Sequence, residues 1–195
     1  MKRVILASAS PRRIELLRKI GLQCEVEPSD YKEVFPPGTE PHELTHRLSL
    51  KKAQAIAARH RDAVVIAADT IGVLDGHILG KPHTVDDARR MLQTLSGRAH
   101  SVITGFSIID TGTNKIISRS VETRVFVKII TPAEIDAYVK TGEPLDKAGA
   151  YAIQGLGAVF IERIEGDYFN VIGFPLNALA EALREFGISI IPVDY

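Results

Sequence analysis

The sequence predicts an α/β fold built on a mixed β-sheet. Three observations carry this reading. Short runs of β-branched and other apolar residues alternate with segments of helical period. The residues between them have the chemistry of helix caps and hairpin turns. No internal repeat, low-complexity stretch or linker breaks the alternation, so the 195 residues read as one domain, 1–195.

Each element can be justified in order. Val4-Ile5-Leu6-Ala7 is a short buried strand, and Ser8-Ala9-Ser10-Pro11 turns it into a helix. Ser10 is the expected N-cap, Pro11 the first helical residue, Ile14, Leu16, Leu17 and Ile20 the apolar stripe, and Gly21 the stop. Cys24 to Glu27 predicts a second strand, and Tyr31 to Pro41 a loop rich in Pro and Gly. A long helix follows from Pro41 to about Arg61, with Leu44, Leu48, Ala53, Ile56 and Ala57 facing inward. Ala63 to Ala68 is a central strand, expected to end at Asp69-Thr70. Ile71 to Leu79 is a hairpin turning at Asp75-Gly76. Thr84 caps a helix that runs to Leu95 and is closed by Ser96-Gly97. His100–Ile109 and Ile116–Ile130 are strands joined at Thr111-Gly112-Thr113-Asn114. Thr131-Pro132 opens a helix ending near Thr141-Gly142. A glycine-rich loop spans Gly149 to Gly157, a strand Ala158 to Ile164, and a last helix Leu176 to Phe186.

Composition narrows the function. Hydrophobic residues make up 45% and charged residues 25%, an ordinary globular balance. The single Cys24 excludes an intramolecular disulfide framework. Lys+Arg and Asp+Glu are 24 each, which argues against a generally basic nucleic-acid binder. No window holds the roughly 18 uncharged apolar residues of a membrane span. The first apolar run, Val4 to Ala7, is too short for a signal-peptide core. The expectation is a cytoplasmic protein with no membrane and no nucleic-acid partner.

Four segments concentrate chemistry. Ser8-Ala9-Ser10-Pro11-Arg12-Arg13 puts two hydroxyls and two guanidiniums at a helix start. Free N–H groups there suit an anion, and Arg binds phosphate through paired hydrogen bonds; the competing reading is a capped helix with solvated arginines. Ala68-Asp69-Thr70 places a carboxylate after a buried strand, where open α/β sheets bind ligands, or else an Asp that caps a turn. Gly80-Lys81-Pro82 holds a lysine between two residues that restrict it, either to pair with a phosphate or, the more common case, as an exposed loop lysine. Glu143 to Gly157 combines glycine, which allows close approach to a ligand, with Asp146, Lys147 and Gln154, or else is a mobile loop of small residues. Taken together, the expectation is that Arg12, Arg13 and up to three lysines (Lys52, Lys81 and Lys147) face a polyphosphate, with Glu33, Asp69 and Asp146 available to bind a cation. A Walker loop, a dinucleotide fingerprint, a zinc-ligand cluster and a G-x-S-x-G elbow are all missing from the sequence.

These residues carry a resemblance. Ser8 to Arg13, Ala68-Asp69-Thr70, Gly80-Lys81-Pro82, Leu95-Ser96-Gly97 with His100, Thr104-Gly105, and Asp146 to Tyr151 through Gln154-Gly155 resemble the Maf family of nucleoside triphosphate pyrophosphatases, in order from Leu6 to about Leu176. The resemblance implies an elongated mixed sheet flanked by helices, in two lobes around a central cleft, related to the inosine triphosphatases. It implies hydrolysis of a nucleoside triphosphate to the monophosphate and pyrophosphate with a divalent cation, Mg2+ or Mn2+, and a homodimer. It matches Asp69 to the family's proton acceptor, Arg12, Thr70 and Gln154 to positions linked to substrate choice, and Ser8, Arg13, Glu33, Lys52 and Lys81 to polar positions lining the cleft; the mechanism expected from these parts has Asp69 and Glu33 hold the cation and Ser8, Arg12, Arg13, Lys52, Thr70, Lys81 and Gln154 bind the substrate. One departure is visible: Lys32 stands where the family's loop carries an Asp before the Glu.

Gln154 sets the expected base preference. A side-chain amide offers one acceptor and one donor face, which matches the carbonyl and N3–H edge of uracil or thymine. Asp-Lys-Ala-Gly-Ala-Tyr followed by Gln is similar to the dTTP/UTP branch, and the 7-methyl-GTP branch carries an acidic residue there. Modified pyrimidine triphosphates, inosine-type hydrolysis, and a division regulator that binds nucleotide without turnover are the alternatives. A free Asp is a poor base near neutral pH, with a pKa of about 3.9. Either a metal activates the water or burial raises Asp69.

Overall fold

The computed structural model describes residues 2–36 and 38–191; Pro37, within the expected Tyr31–Pro41 loop, lies outside the described residues. Seven strands form one mixed sheet in the order β2-β1-β3-β5-β6-β7, with β4 paired to β3. The strands are β1 Arg3–Leu6, β2 Glu25–Val26, β3 Ala63–Leu74, β4 His77–Leu79, β5 Ala99–Asp110, β6 Ile116–Val127 and β7 Ile161–Glu165. The helices are α1 Pro11–Lys19, α2 Pro41–Ala57, α3 Val85–Leu95, α4 Pro132–Lys140, α5 Tyr168–Ile172 and α6 Leu176–Arg184. β1 runs parallel to β2 and β3, whereas β3–β4 and β6–β7 are antiparallel. None of the helices is long and apolar enough to cross a membrane, among the described residues.

The chain divides into two compact units. The first comprises Met1–Thr70, Thr104–Val121 and Gly173–Tyr195; the second, Ile71–Ile103 and Glu122–Ile172.

In the first unit, alternation along the strands builds the core. Ile5 and Ala7, then Ala63, Val65 and Ala67, lie on one sheet face with Ile109 and pack against Ala53 and Ile56 of α2. Each fully buried Leu or Ile of α2 contributes roughly 2 kcal/mol. α2 opens at Pro41 with the Glu40 side chain accepting from the Glu43 N–H, and ends at Ala57, four residues before the expected Arg61. Gly105 of β5 lets α2 lie directly on the sheet, because a Cβ there would stand 2.4 Å from the Thr45 carbonyl carbon. Ser49 and Ser107 share a 2.9 Å hydrogen bond one helical turn and one strand repeat further on. Four helical residues rise about 6 Å and two strand residues about 6.6 Å, so the contacts stay in step.

In the second unit, α3 and α4 pack Ala88, Leu92, Leu95, Ile135, Tyr138 and Val139 on Val102, Val125 and Val127. Both helices open with the expected threonine: Thr84 and Thr131 each form a capping box, with Asp87 and Glu134 respectively. The β3–β4 turn has positive φ at Asp75 (51°) and Gly76 (78°), the two-residue geometry their sequence predicts.

Four expectations need correction. The Ser10 side chain does not cap α1, although its backbone starts the helix. The central strand does not stop at Ala68 but continues through Asp69 and Thr70 to Leu74. β7 begins at Ile161 rather than Ala158, because Leu156–Phe160 winds into a 3-10 turn. The expected 149–157 loop winds into 3-10 turns at both ends, Ala148–Ala150 and Leu156–Phe160, and stays irregular only over 151–155.

His100 gives the second unit a pH-dependent stability. Its ring is buried, with Nε2 2.9 Å from the Tyr151 hydroxyl and Nδ1 without a partner among the described residues. Burial pulls its pKa from 6.5 down to about 4. The folded state therefore favours the neutral ring. This contribution is intact above the unfolded value and is lost as pH falls from about 6.5 toward about 4. Unfolding free energy should drop by about 2 kcal/mol between about pH 8 and about pH 5. Urea denaturation at the two pH values measures this, and His100→Phe should flatten the slope; an equal slope in that variant would assign it elsewhere.

Candidate active site

The site in the first unit follows from the same alternation. Ala63, Val65 and Ala67 face α2, so Asp69, two residues on, faces α2 as well. β1 reaches β3 only as far as Leu6↔Ile66, with the Ala7 N–H donating to the Ile66 carbonyl (2.8 Å). Asp69 thus lies past the end of β1 yet inside β3. The carboxyl-edge position expected from the sequence holds relative to β1, not to β3.

Lys52 lies next to Ala53, on the flank of α2 that leans over Asp69. Its ammonium donates to Asp69 Oδ1, and also to Glu33 Oε1 at 2.6 Å. The side chains of Asp69 and Lys52 are 8% and 14% exposed, whereas Glu33 is 43% exposed; the pair is enclosed at one end and open at the other. Burial raises the Asp69 carboxyl above its usual range, against the opposing pull of Lys52 and Arg13. A carboxylate held this way is a better proton acceptor than a free one.

Thr70, the next residue of β3, engages the arginine turn. Arg13 donates from Nη2 to Thr70 Oγ1 (3.0 Å), from Nε to the Gly173 carbonyl (2.9 Å) and from Nη1 to Ser8 Oγ (3.4 Å). Thr70 Oγ1 in turn lies 2.9 Å from Thr104 Oγ1. Desolvation lowers the Arg13 pKa, with Asp69 and Glu33 acting in the other direction and Arg12 reinforcing the fall. Arg13 is thus a positive wall braced by neutral oxygens, with two N–H donors remaining. Ser8 is buried and accepts the Ser10 N–H at 3.2 Å, which shapes the turn. Arg12 is half-buried and makes no hydrogen bond to a described residue. Because no side chain caps α1, its first-turn N–H groups are left for an anion.

The first unit therefore gathers Ser8, Arg12, Arg13, Glu33, Lys52, Asp69 and Thr70. Lys81 and Gln154 belong to the second unit and are exposed. There the Gly149 N–H donates to the Gly80 carbonyl (3.1 Å), which sets the Lys81 turn beside the 146–151 segment. Lys147 pairs with Asp146, its neighbour in sequence. Glu143 orders the turn after Gln154: its carboxylate accepts from the N–H groups of Leu156 (2.9 Å) and Gly157 (3.0 Å) and from the Tyr138 hydroxyl (2.7 Å). Partial burial opposes the charge, but those donors hold the Glu143 pKa below the usual range. Glu143, Gly173 and Thr104 were not assigned from the sequence. Thr104-Gly105 marked its own position as a motif; the other two act across long separations that no local signal marks.

The donor set fits a divalent cation. Two carboxylates, Asp69 and Glu33, already converge on one cation, the Lys52 ammonium. Hard oxygen donors suit Mg2+ and Mn2+, and Mg2+ is commonly held by one or two carboxylates plus substrate phosphates. Among the described residues no group of three or more His, Cys, Asp or Glu side chains converges to hold a metal, so the fit is to a cation that brings phosphate ligands.

The chain is similar to known proteins over nearly its whole length. A protein of Methanococcoides burtonii named dTTP/UTP pyrophosphatase is 50% identical over 191 residues, 97% of this chain and 98% of the other. A Geobacter metallireducens protein of the same name is 51% identical over 185 residues, 95% and 96% of the two chains. Among solved structures, the Staphylococcus aureus Ham1 protein superposes with a TM-score of 0.54 at 14% identity, over 96% of this chain and 100% of that one. A HAM1 protein from Coxiella burnetii gives 0.52 at 14% identity, over 95% and 100%. At such identity these two share the fold alone. The sequence profile described as Maf-like protein matches residues 3–186, and with that match the chain belongs to the Maf family.

Proposed function

We propose that the protein hydrolyses dTTP and UTP to the monophosphate and pyrophosphate. The observation that carries this is the buried Asp69, raised by burial and set against Lys52 within electrostatic reach of Arg13. The names of the near-half-identical relatives support the same reaction.

In the proposed reaction a water oxygen attacks the α-phosphorus. The bond from that phosphorus to the α–β bridging oxygen breaks, and pyrophosphate leaves with the bond's electron pair. Asp69 accepts the water proton. Asp69 and Glu33 would hold the divalent cation, which when bound screens the phosphate charge and polarises the phosphoryl oxygens. Arg12, whose donors meet no acceptor among the described residues, binds phosphate oxygens, and the first-turn N–H groups of α1 add to it. Arg13 contributes its field and its two remaining donors, while Ser8 and Thr70 fix its plane. Lys52 and Lys81 neutralise charge on the phosphates and the leaving group. The resemblance supports the roles of Lys81 and of Gln154, whose amide would read the pyrimidine edge.

A nucleotide panel with product identification tests the reading. UTP and dTTP should yield the monophosphate and pyrophosphate; diphosphate plus orthophosphate would overturn the cleavage site. Gln154→Glu should lower the ratio of UTP to 7-methyl-GTP hydrolysis by roughly tenfold, the worth of one hydrogen bond lost or opposed. An unchanged ratio would remove Gln154 from base selection.

A further inference from the structure

The Lys52 ammonium sits where the two candidate metal ligands converge. Its helix is fixed, since Leu48, Ala53 and Ile56 around it are fully buried. Any exchange at this point must therefore come from the four-carbon side chain, which is flexible and ends in a compact point charge. With Lys52 in place, both carboxylates already have a cation and Arg13 adds a second positive charge nearby. A bare dication would approach a site whose negative charge is already balanced. It would also have to displace an ammonium that has no other anion to turn to, because Lys52 makes no ion pair beyond these two among the described residues.

We propose that Lys52 is a resident cation that keeps Asp69 and Glu33 closed to a divalent metal until a triphosphate arrives, so that metal enters only together with nucleotide. The triphosphate brings several negative charges and gives the ammonium a new partner. Lys52 then leaves the carboxylates, and they become available to a cation already held by phosphate oxygens. Lys52 so couples two binding events: it opposes metal in the free protein and ceases to compete for the carboxylates in the nucleotide complex. This rests on the reading of the site as one for a metal-bound triphosphate, and it makes Lys52 a determinant of binding order as well as a phosphate contact.

The test is Mn2+ binding to the intact, nucleotide-free protein, followed by electron paramagnetic resonance of the unbound ion. No turnover is needed, so failure of the hydrolase reading would show separately, as absent pyrophosphate release. The wild-type protein should bind Mn2+ weakly. Lys52→Met keeps the apolar stem and removes the charge, and should bind one Mn2+ per chain at least tenfold more tightly. Lys52→Arg should stay as weak as wild type. Asp69→Asn added to Lys52→Met should abolish the gain, which locates the new site. Adding α,β-methylene-UTP to wild type should tighten Mn2+ uptake beyond that of the analogue alone. Tight stoichiometric Mn2+ binding by nucleotide-free wild type would overturn the proposal, as would a folded Lys52→Met protein that binds no better. If Lys52→Met does not fold, the wild-type titrations with and without the analogue decide.

Discussion

Asp69→Asn should lower kcat by roughly 10^3-fold, within the range removed with a general base, while the protein stays folded and at least as stable at neutral pH. The two halves of that result have one origin. Burial holds the Asp69 carboxyl above its usual range even with Lys52 and Arg13 beside it. The folded state therefore favours the neutral form, and keeping the group ionised at neutral pH costs stability. A raised carboxyl pKa makes this contribution unfavourable above the folded value, and the cost disappears as pH falls toward the unfolded one. Asn is close to Asp in shape and carries no charge, so it removes that cost. Lys52 keeps Glu33 as a partner at 2.6 Å and is not stranded. Asn cannot take the proton from the attacking water, and it offers a cation only a neutral oxygen. Single-turnover kinetics on UTP beside a thermal melt would separate the effects. Loss of activity with an unchanged or higher melting temperature is the expected pair; near-normal turnover would take Asp69 out of the mechanism.

The sequence made the local elements legible because their causes are local. Thr84 and Thr131 announce helix starts, and each closes its own capping box three residues away. Asp75-Gly76 announces a two-residue turn, and its backbone adopts the two positive φ angles that turn needs. Arg12, Arg13 and Asp69 were legible as chemistry because they follow buried apolar runs; Glu33, in the Pro-rich loop, and Lys52, inside the long helix, were weak signals alone and stood out only in combination with them. What stayed hidden depends on distant partners. The central strand reads as ended at Asp69 because a carboxylate and a hydroxyl interrupt its apolar run; it continues because Ile71, Gly72 and Leu74 stay buried beyond them. α5 has five residues after Gly166-Asp167, too few for a helical stripe to show. The use of Arg13 was least legible. A guanidinium next to another at a helix start suggests two phosphate clamps, but one of its acceptors, the Gly173 carbonyl, lies 160 positions away in the chain. The hold of Glu143 on Leu156 and Gly157 spans 13 and 14 positions and has the same character.

Gly105→Ala should destabilise the protein by about 3 kcal/mol and weaken catalysis as well, although residue 105 touches no substrate in the proposed reaction. The added Cβ would stand 2.4 Å from the Thr45 carbonyl carbon, 2.5 Å from its oxygen and 2.8 Å from its Cβ. Two of those atoms are helix backbone, so no side-chain rotation relieves the contact; α2 must lift or β5 must bend. Lifting α2 strains the Ser49–Ser107 hydrogen bond and opens the buried Ala53 and Ile56 contacts along the same line. Lys52 rides on that helix, seven residues or two turns beyond Thr45, and so loses its position over Asp69. Gly72→Ala is a useful contrast. The three atoms nearest to its Cβ would all belong to the Leu79 side chain, none closer than 3.3 Å, so a shift of a few tenths of an ångström relieves the contact. Gly105→Ala should lower the melting temperature by about 10 °C and reduce kcat/KM below the wild-type value even where the variant is fully folded. Gly72→Ala should move either quantity much less. If Gly105→Ala melted with wild type, α2 would have room the packing denies it; if it lost stability and kept full kcat/KM, the height of α2 would not govern the reach of Lys52.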